Sequence, residues 1–150
     1  MSQNDKKKIL IVDDEPNVRR LVHTILSKDF IVLEAEDGRQ AIDVACTQKP
    51  DLILMDMLMP RMDGLTACYT IKNDPTTKST PVLMLTAVGF ELNVKLSQQM
   101  GADAYMTKPF TSQDYSKKLH NSWQFRDFML AQMKTPSHMR LAFSKYSQMG

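Results

Sequence analysis

The sequence predicts an α/β fold in which five strands alternate with helices and build a parallel sheet covered on both faces. Three observations predict it. Runs of four apolar residues recur at Ile9–Val12, Leu52–Met55 and Val82–Leu85, the mark of strands buried from both sides. The segments between such runs repeat their apolar residues at helical spacing. Strict alternation of the two kinds requires parallel strands joined by right-handed crossovers.

The first strand is Ile9-Leu10-Ile11-Val12, rich in β-branched residues. Pro16 suits the first turn of the helix that follows, where its missing N–H costs nothing, and Val18, Leu21, Val22, Ile25 and Leu26 form its apolar stripe. The second strand is expected over Phe30–Ala35. Gly38 opens a second helix with Ala41, Ile42, Ala45 and Cys46 on one face. Pro50-Asp51 turns the chain into the third strand, Leu52–Met55. A loop from Met57 to Gly64 is broken by Pro60 and Asp63-Gly64. Leu65, Cys68, Tyr69 and Ile71-Lys72 mark the third helix, which ends near Asn73-Asp74-Pro75. Thr76–Thr80 reads as a surface loop, Val82–Leu85 as the fourth strand, and Leu92, Leu96 and Met100 as a fourth helix stopped by Gly101. Ala104–Thr107 is the fifth strand, and a fifth helix starts at Thr111 or Ser112 as its cap.

The composition narrows the classes of function. The chain has 150 residues, 43% hydrophobic and 24% charged, which fits one globular domain able to bury its core without a disulfide or metal staple. No apolar run approaches the roughly 20 residues of a membrane span, and the polar start, MSQNDKKK, predicts no secretory signal. Cys46 and Cys68 lie among apolar neighbours without metal-ligand spacing, so both are expected as buried free thiols in a reducing cytoplasm. Residues 1–114 carry 13 basic and 16 acidic side chains, whereas residues 115–150 carry six basic and one acidic. This asymmetry is too mild to demand nucleic acid.

The polar residues concentrate at the carboxyl ends of the strands. Asp13 and Asp14 end the first, Asp56 the third, Thr86 the fourth and Lys108 the fifth. Open parallel sheets bind ligands outside those ends. Any one of these residues alone is an ordinary cap, strand residue or exposed side chain. Together, three carboxylates on one mouth repel one another unless a cation lies between them. An all-oxygen donor set favours Mg2+, which takes one or two carboxylates, waters and a phosphate oxygen. Lys108 and Thr86 then face the remaining phosphoryl oxygens, an arrangement for phosphoryl transfer to a carboxylate.

The runs LIVDDEP, LILMDMLMPRMDG, LMLTA and YMTKPF, in this order and at these strand ends, resemble the motifs of two-component response-regulator receiver domains. The resemblance covers roughly residues 6–121. It implies the doubly wound, flavodoxin-like sheet of order 2-1-3-4-5 and a receiver over 1–121, which leaves 122–150 as an extension whose apolar spacing reads as helical. It implies Asp56 as phosphoacceptor, Asp14 as the direct metal carboxylate, Asp13 as its neighbour acting mainly through water, and Leu58 as a backbone-carbonyl ligand. Thr86 is the implied switch hydroxyl, Tyr105 the switch aromatic and Lys108 the amine that pairs with the phosphoryl group, after a cis Lys108-Pro109 bond. The implied partners are a histidine kinase or histidine phosphotransfer protein and a downstream protein target. The implied setting is the cytoplasm, and the implied role is that of a switch rather than a multiple-turnover enzyme. Leu58 and Val88 flank the path of a hydrolytic water in this family.

The alternative is an aspartyl-phosphate phosphatase on a similar fold. That chemistry wants a second Asp two positions after the nucleophile, where this chain has Leu58. A nucleotide- or flavin-binding fold lacks its glycine-rich first turn here, since Asp13-Asp14-Glu15-Pro16 would repel phosphate. In the extension, Trp123, Phe125, Phe128, Met129, Leu130 and Met133, then Met139, Phe143 and Tyr146, supply apolar surface around the breaker Pro136. They suit a helix folded back on the receiver or one that forms a homodimer or binds a partner. Arg126, Lys134, Arg140 and Lys145 are spaced too loosely for a nucleic-acid patch.

Overall fold

The computed structural model describes residues 6–86 and 91–107, with backbone alone at Thr86, 91–94, Ala104, Met106 and Thr107. The strands are β1 (Lys8–Val12), β2 (Ile31–Ala35), β3 (Leu52–Asp56), β4 (Val82–Thr86) and β5 (Ala104–Thr107). The helices are α1 (Pro16–Leu26), α2 (Gly38–Gln48), α3 (Gly64–Asn73) and α4 (Glu91–Gln99). Four strands in the order β2-β1-β3-β4 form the body of the sheet, and the short β5 pairs on the outer edge of β4, all parallel. The chain thus moves outward from β1 in both directions, the doubly wound plan expected from the motifs.

Alternation along the strands divides the interior into two layers. Ile9, Ile11, Leu52, Leu54, Leu83 and Leu85 pack with Val18, Val22 and Leu26 of α1 and with Phe30. Leu10, Val12, Ile53, Met55, Val82 and Met84 face the other way, onto Ala41 and Ala45 of α2 and Ala67, Cys68 and Ile71 of α3. Every residue of β3 is buried. Each fully buried Leu or Ile contributes about 1.5–3 kcal/mol, and this two-sided burial holds the strand ends, and whatever stands on them, in fixed register.

Several expectations shift by a residue or more, with local reasons. Phe30 precedes β2 rather than opening it, because its N–H donates back to Leu26 O at 2.9 Å while its ring fills the α1 layer. Asp56 belongs to β3, paired with Leu85 of β4. Thr76–Thr80 is the expected surface loop except at Thr77, which is buried with its hydroxyl donating to Ile71 O at 2.7 Å. Cys68 is buried, as expected, but Cys46 is only half-buried. The expected fifth helix, the Lys108-Pro109 bond and the 122–150 extension lie outside the described residues.

Candidate functional site

The register between β1 and β3 pairs Val12 with Met55, so Asp13 and Asp56 emerge side by side. This is the crevice where the strand order reverses. Asp13 is fully buried, and its Oδ1 accepts the Glu15 N–H at 2.9 Å. That bond bends the chain out of β1 and sets Pro16 at the start of α1. Arg19 Nη1 donates to the Asp13 carbonyl at 2.6 Å and its Nε lies 3.3 Å from Glu34, fastening α1 to the strand ends. Asp14 is exposed and Asp56 is 5% exposed. One carboxylate oxygen from each of Asp13, Asp14 and Asp56 lies within 4.8 Å of the others.

Two carboxylates at that separation repel by on the order of 3 kcal/mol at the effective dielectric of a protein surface. A set of hard oxygens offered at close range, two of them buried and one reaching solvent, fits a small divalent cation that keeps several waters.

The loop between β3 and α3 closes one side of the site. Met57 N–H donates to Leu85 O at 3.1 Å, and Gly64 N–H donates to Met57 O at 2.9 Å. A Cβ on Gly64 would overlap the Asp56 carbonyl oxygen, so the close return of the loop requires glycine here. Gly64 is not the end of a breaker, as the sequence suggested, but the first residue of α3. Asp63 caps that helix, accepting the Thr66 N–H at 2.7 Å.

Sequence reasoning also passed over Asp37 and Arg61. Asp37 caps α2 by accepting the Gln40 N–H at 2.9 Å, and its Oδ2 lies 2.7 Å from Arg61 Nε. The Gln40 amide above all, helped by the Arg61 guanidinium and opposed by burial, holds the Asp37 carboxyl below the ordinary carboxylate range. An acid just before a helical stripe signals the cap. Nothing in the sequence signals the pairing with Arg61, which is long-range.

Of the other expected site residues, Leu58 projects into solvent with 75% of its surface exposed. Tyr105 is half-buried against the layer that holds Met84, its partner in β4. The backbone of Thr86 ends β4 beside Thr107 of β5. The Thr86 side chain, Val88 and Lys108 lie outside the described residues. Burial pushes the Cys68 thiol up to about 12, which leaves it protonated and inert.

Residues 9–120 match the response regulator receiver domain, and the chain belongs to that family. It is 39% identical over 114 residues to the alkaline phosphatase synthesis transcriptional regulatory protein PhoP of Bacillus subtilis, covering 75% of this chain and 47% of that protein. The chain spans about half the length of the first curated relatives it matches. Among solved structures, the chemotaxis protein CheY4 of Vibrio cholerae aligns with a TM-score of 0.67 at 30% identity, over 80% of this chain and 98% of that one. The receiver domain of the sensor histidine kinase PA1611 from Pseudomonas aeruginosa, which has a magnesium ion coordinated in its active-site cleft, aligns with a TM-score of 0.72 at 25% identity. That match covers 87% of this chain and 99% of the other. The chain is therefore a two-component response regulator receiver domain, a component of phosphorelay signalling.

Proposed function

We propose that this chain is a switch phosphorylated on Asp56 by a phosphohistidine of a partner kinase or phosphotransfer protein. The observation that carries the reading is the convergence of Asp13, Asp14 and Asp56 at the ends of β1 and β3. In the transfer, an Asp56 carboxylate oxygen forms the new bond to phosphorus as the phosphorus–nitrogen bond to the donor imidazole breaks. The electron pair stays with the imidazole, which takes up a proton. Asp14 and Asp56, with the Leu58 carbonyl and Asp13 acting through water, are the residues that would hold Mg2+. A bound Mg2+ supplies neutralisation of the charge on the transferring oxygens.

Burial of Asp56 removes competing water from the acceptor, and the Gly64 contact fixes the backbone that aims it. Lys108 is assigned to pair with the phosphoryl oxygens, Thr86 to follow the phosphoryl group by hydrogen bonding, and Tyr105 to fill the space that Thr86 leaves. The surface of α4, β5 and the following helix then presents the output to a downstream protein.

The switch is assigned to residues 1–121 and to the cytoplasm, where a phosphohistidine donor is met. Residues 122–150 are assigned to output or homodimer formation. Among the described residues no helix is long and apolar enough to cross a membrane.

Two measurements test this reading against phosphatase chemistry. Incubation with a small acyl phosphate should give stoichiometric, Mg2+-dependent phosphate incorporation. Steady-state hydrolysis of aryl phosphates should stay at background, because Leu58 has no proton to give where a phosphatase has its acid. Sustained turnover without a labelled protein would refute the switch.

A further inference from the structure

Arg61 combines features that do not belong together in an ordinary surface loop. Its backbone is left-handed at φ 66, a conformation that side chains other than Gly and Asn rarely adopt. Its side chain is 65% exposed, yet Nε lies 2.7 Å from the Asp37 carboxylate, which is only 4% exposed, and Nη2 lies 3.8 Å from Glu36. Asp37 is an anchored acceptor, since the Gln40 amide already holds its other oxygen. One residue along, Met62 O accepts the Gly38 N–H at 3.1 Å, and a Cβ on Gly38 would stand 2.8 Å from that oxygen. The β3–α3 loop is thus fastened to the β2–α2 turn near its end. Its start is fastened to β4 by Met57 N–H on Leu85 O, and Gly64 N–H on Met57 O closes the loop on itself.

We propose that Arg61 is a positioning residue for the metal site: its ion pair with Asp37 latches the loop that carries Leu58 and so sets the geometry in which a divalent cation is held. This rests on the reading of the aspartate cluster as a Mg2+ site. An exposed ion pair does little, but here one partner is buried and doubly held, and the other accepts an unfavourable backbone to reach it. A latch and a simple field effect predict opposite signs. Neutralising Arg61 leaves Glu36 and Asp37 uncompensated, and the added negative field alone would tighten cation binding. Loss of the latch would weaken it.

The test uses the full chain, with Mg2+ titrated by calorimetry and amide exchange followed without metal. Arg61→Met should weaken Mg2+ binding roughly tenfold, the size typical of groups that orient metal ligands, with Arg61→Lys between it and wild type. Asp37→Asn keeps an oxygen for the Gln40 amide and loses the charge. It should reproduce the loss, and the double variant should bind no more weakly than either single one. In metal-free protein, the Gly38 and Gly64 amides should exchange faster in Arg61→Met while the rest of the sheet is unchanged. Unchanged or tighter Mg2+ binding in Arg61→Met, additive losses in the double variant, or unaltered exchange would each overturn the proposal. A wild-type chain that takes up no Mg2+ overturns the reading of the site and this proposal with it. Wild-type binding that Asp14→Ala abolishes and Arg61→Met leaves intact overturns this proposal alone.

Discussion

Gly64 stands so close to the Asp56 carbonyl that no side chain fits between them. The acceptor's backbone therefore depends on a residue eight positions away that has no chemistry of its own. Gly64→Ala must push apart a buried strand end and the start of α3. We expect a loss of at least about 2 kcal/mol of stability, read as a lower denaturant midpoint at unchanged slope. Phosphate incorporation by the fraction that remains folded should also slow. A variant as stable and as active as wild type would show that the contact does not constrain Asp56.

The aspartate cluster predicts opposite effects of one substitution with and without metal. Asp14→Asn removes one of three crowded charges, so the metal-free protein should gain about 0.5–1 kcal/mol, a value discounted because Asp14 is exposed to screening solvent. Excess Mg2+ should raise the Tm of wild type by mass action and that of the variant much less. Asp13→Asn should affect Mg2+ affinity less than Asp14→Asn, because Asp13 Oδ1 already accepts the Glu15 amide. Calorimetric titration of the three proteins decides the order.

Acid stability should report the Asp37 cap. Its carboxyl is held below the ordinary value of 3.8, chiefly by the Gln40 amide. A depressed folded-state pKa gives stability that is present above the unfolded value and lost as pH falls through the folded one. The wild-type chain should lose more stability between about pH 4 and pH 2 than Asp37→Asn does. Chemical denaturation at a series of pH values measures this, and equal slopes would contradict it.

The exposed Leu58 bears on the lifetime of the phosphorylated form. Its side chain projects from the loop beside Asp56 and has no polar atom with which to orient an attacking water. With the apolar Val88, it makes the phosphorylated protein slow to hydrolyse in our account. Leu58→Asn combined with Val88→Gln should speed decay about tenfold, roughly 1.4 kcal/mol of barrier. Decay is followed after donor removal in excess Mg2+. A wild-type half-life of seconds, or no acceleration, would contradict it.

Much of this architecture is written in local pattern. Ile9–Val12 and Leu52–Met55 announce buried strands because both faces are covered, and the acidic residues that follow them mark the strand ends without any tertiary knowledge. The Arg61–Asp37 pair, the positive φ of Arg61 and the contact of Gly64 with Asp56 were not legible. Each depends on where two loops meet after folding, and neither hydrophobic period nor turn chemistry encodes that meeting. Leu58 illustrates the same limit. Its apolar character is plain in the sequence, but only the fold shows that it faces solvent.

The measurement closest to the central claim is mapping of the modified residue after incubation with a small acyl phosphate and Mg2+. The account predicts one phosphoryl group per chain on the peptide that contains Asp56, absent without Mg2+ and absent in a folded Asp56→Asn variant. Stoichiometric label on another residue, or retained label in Asp56→Asn, would contradict it.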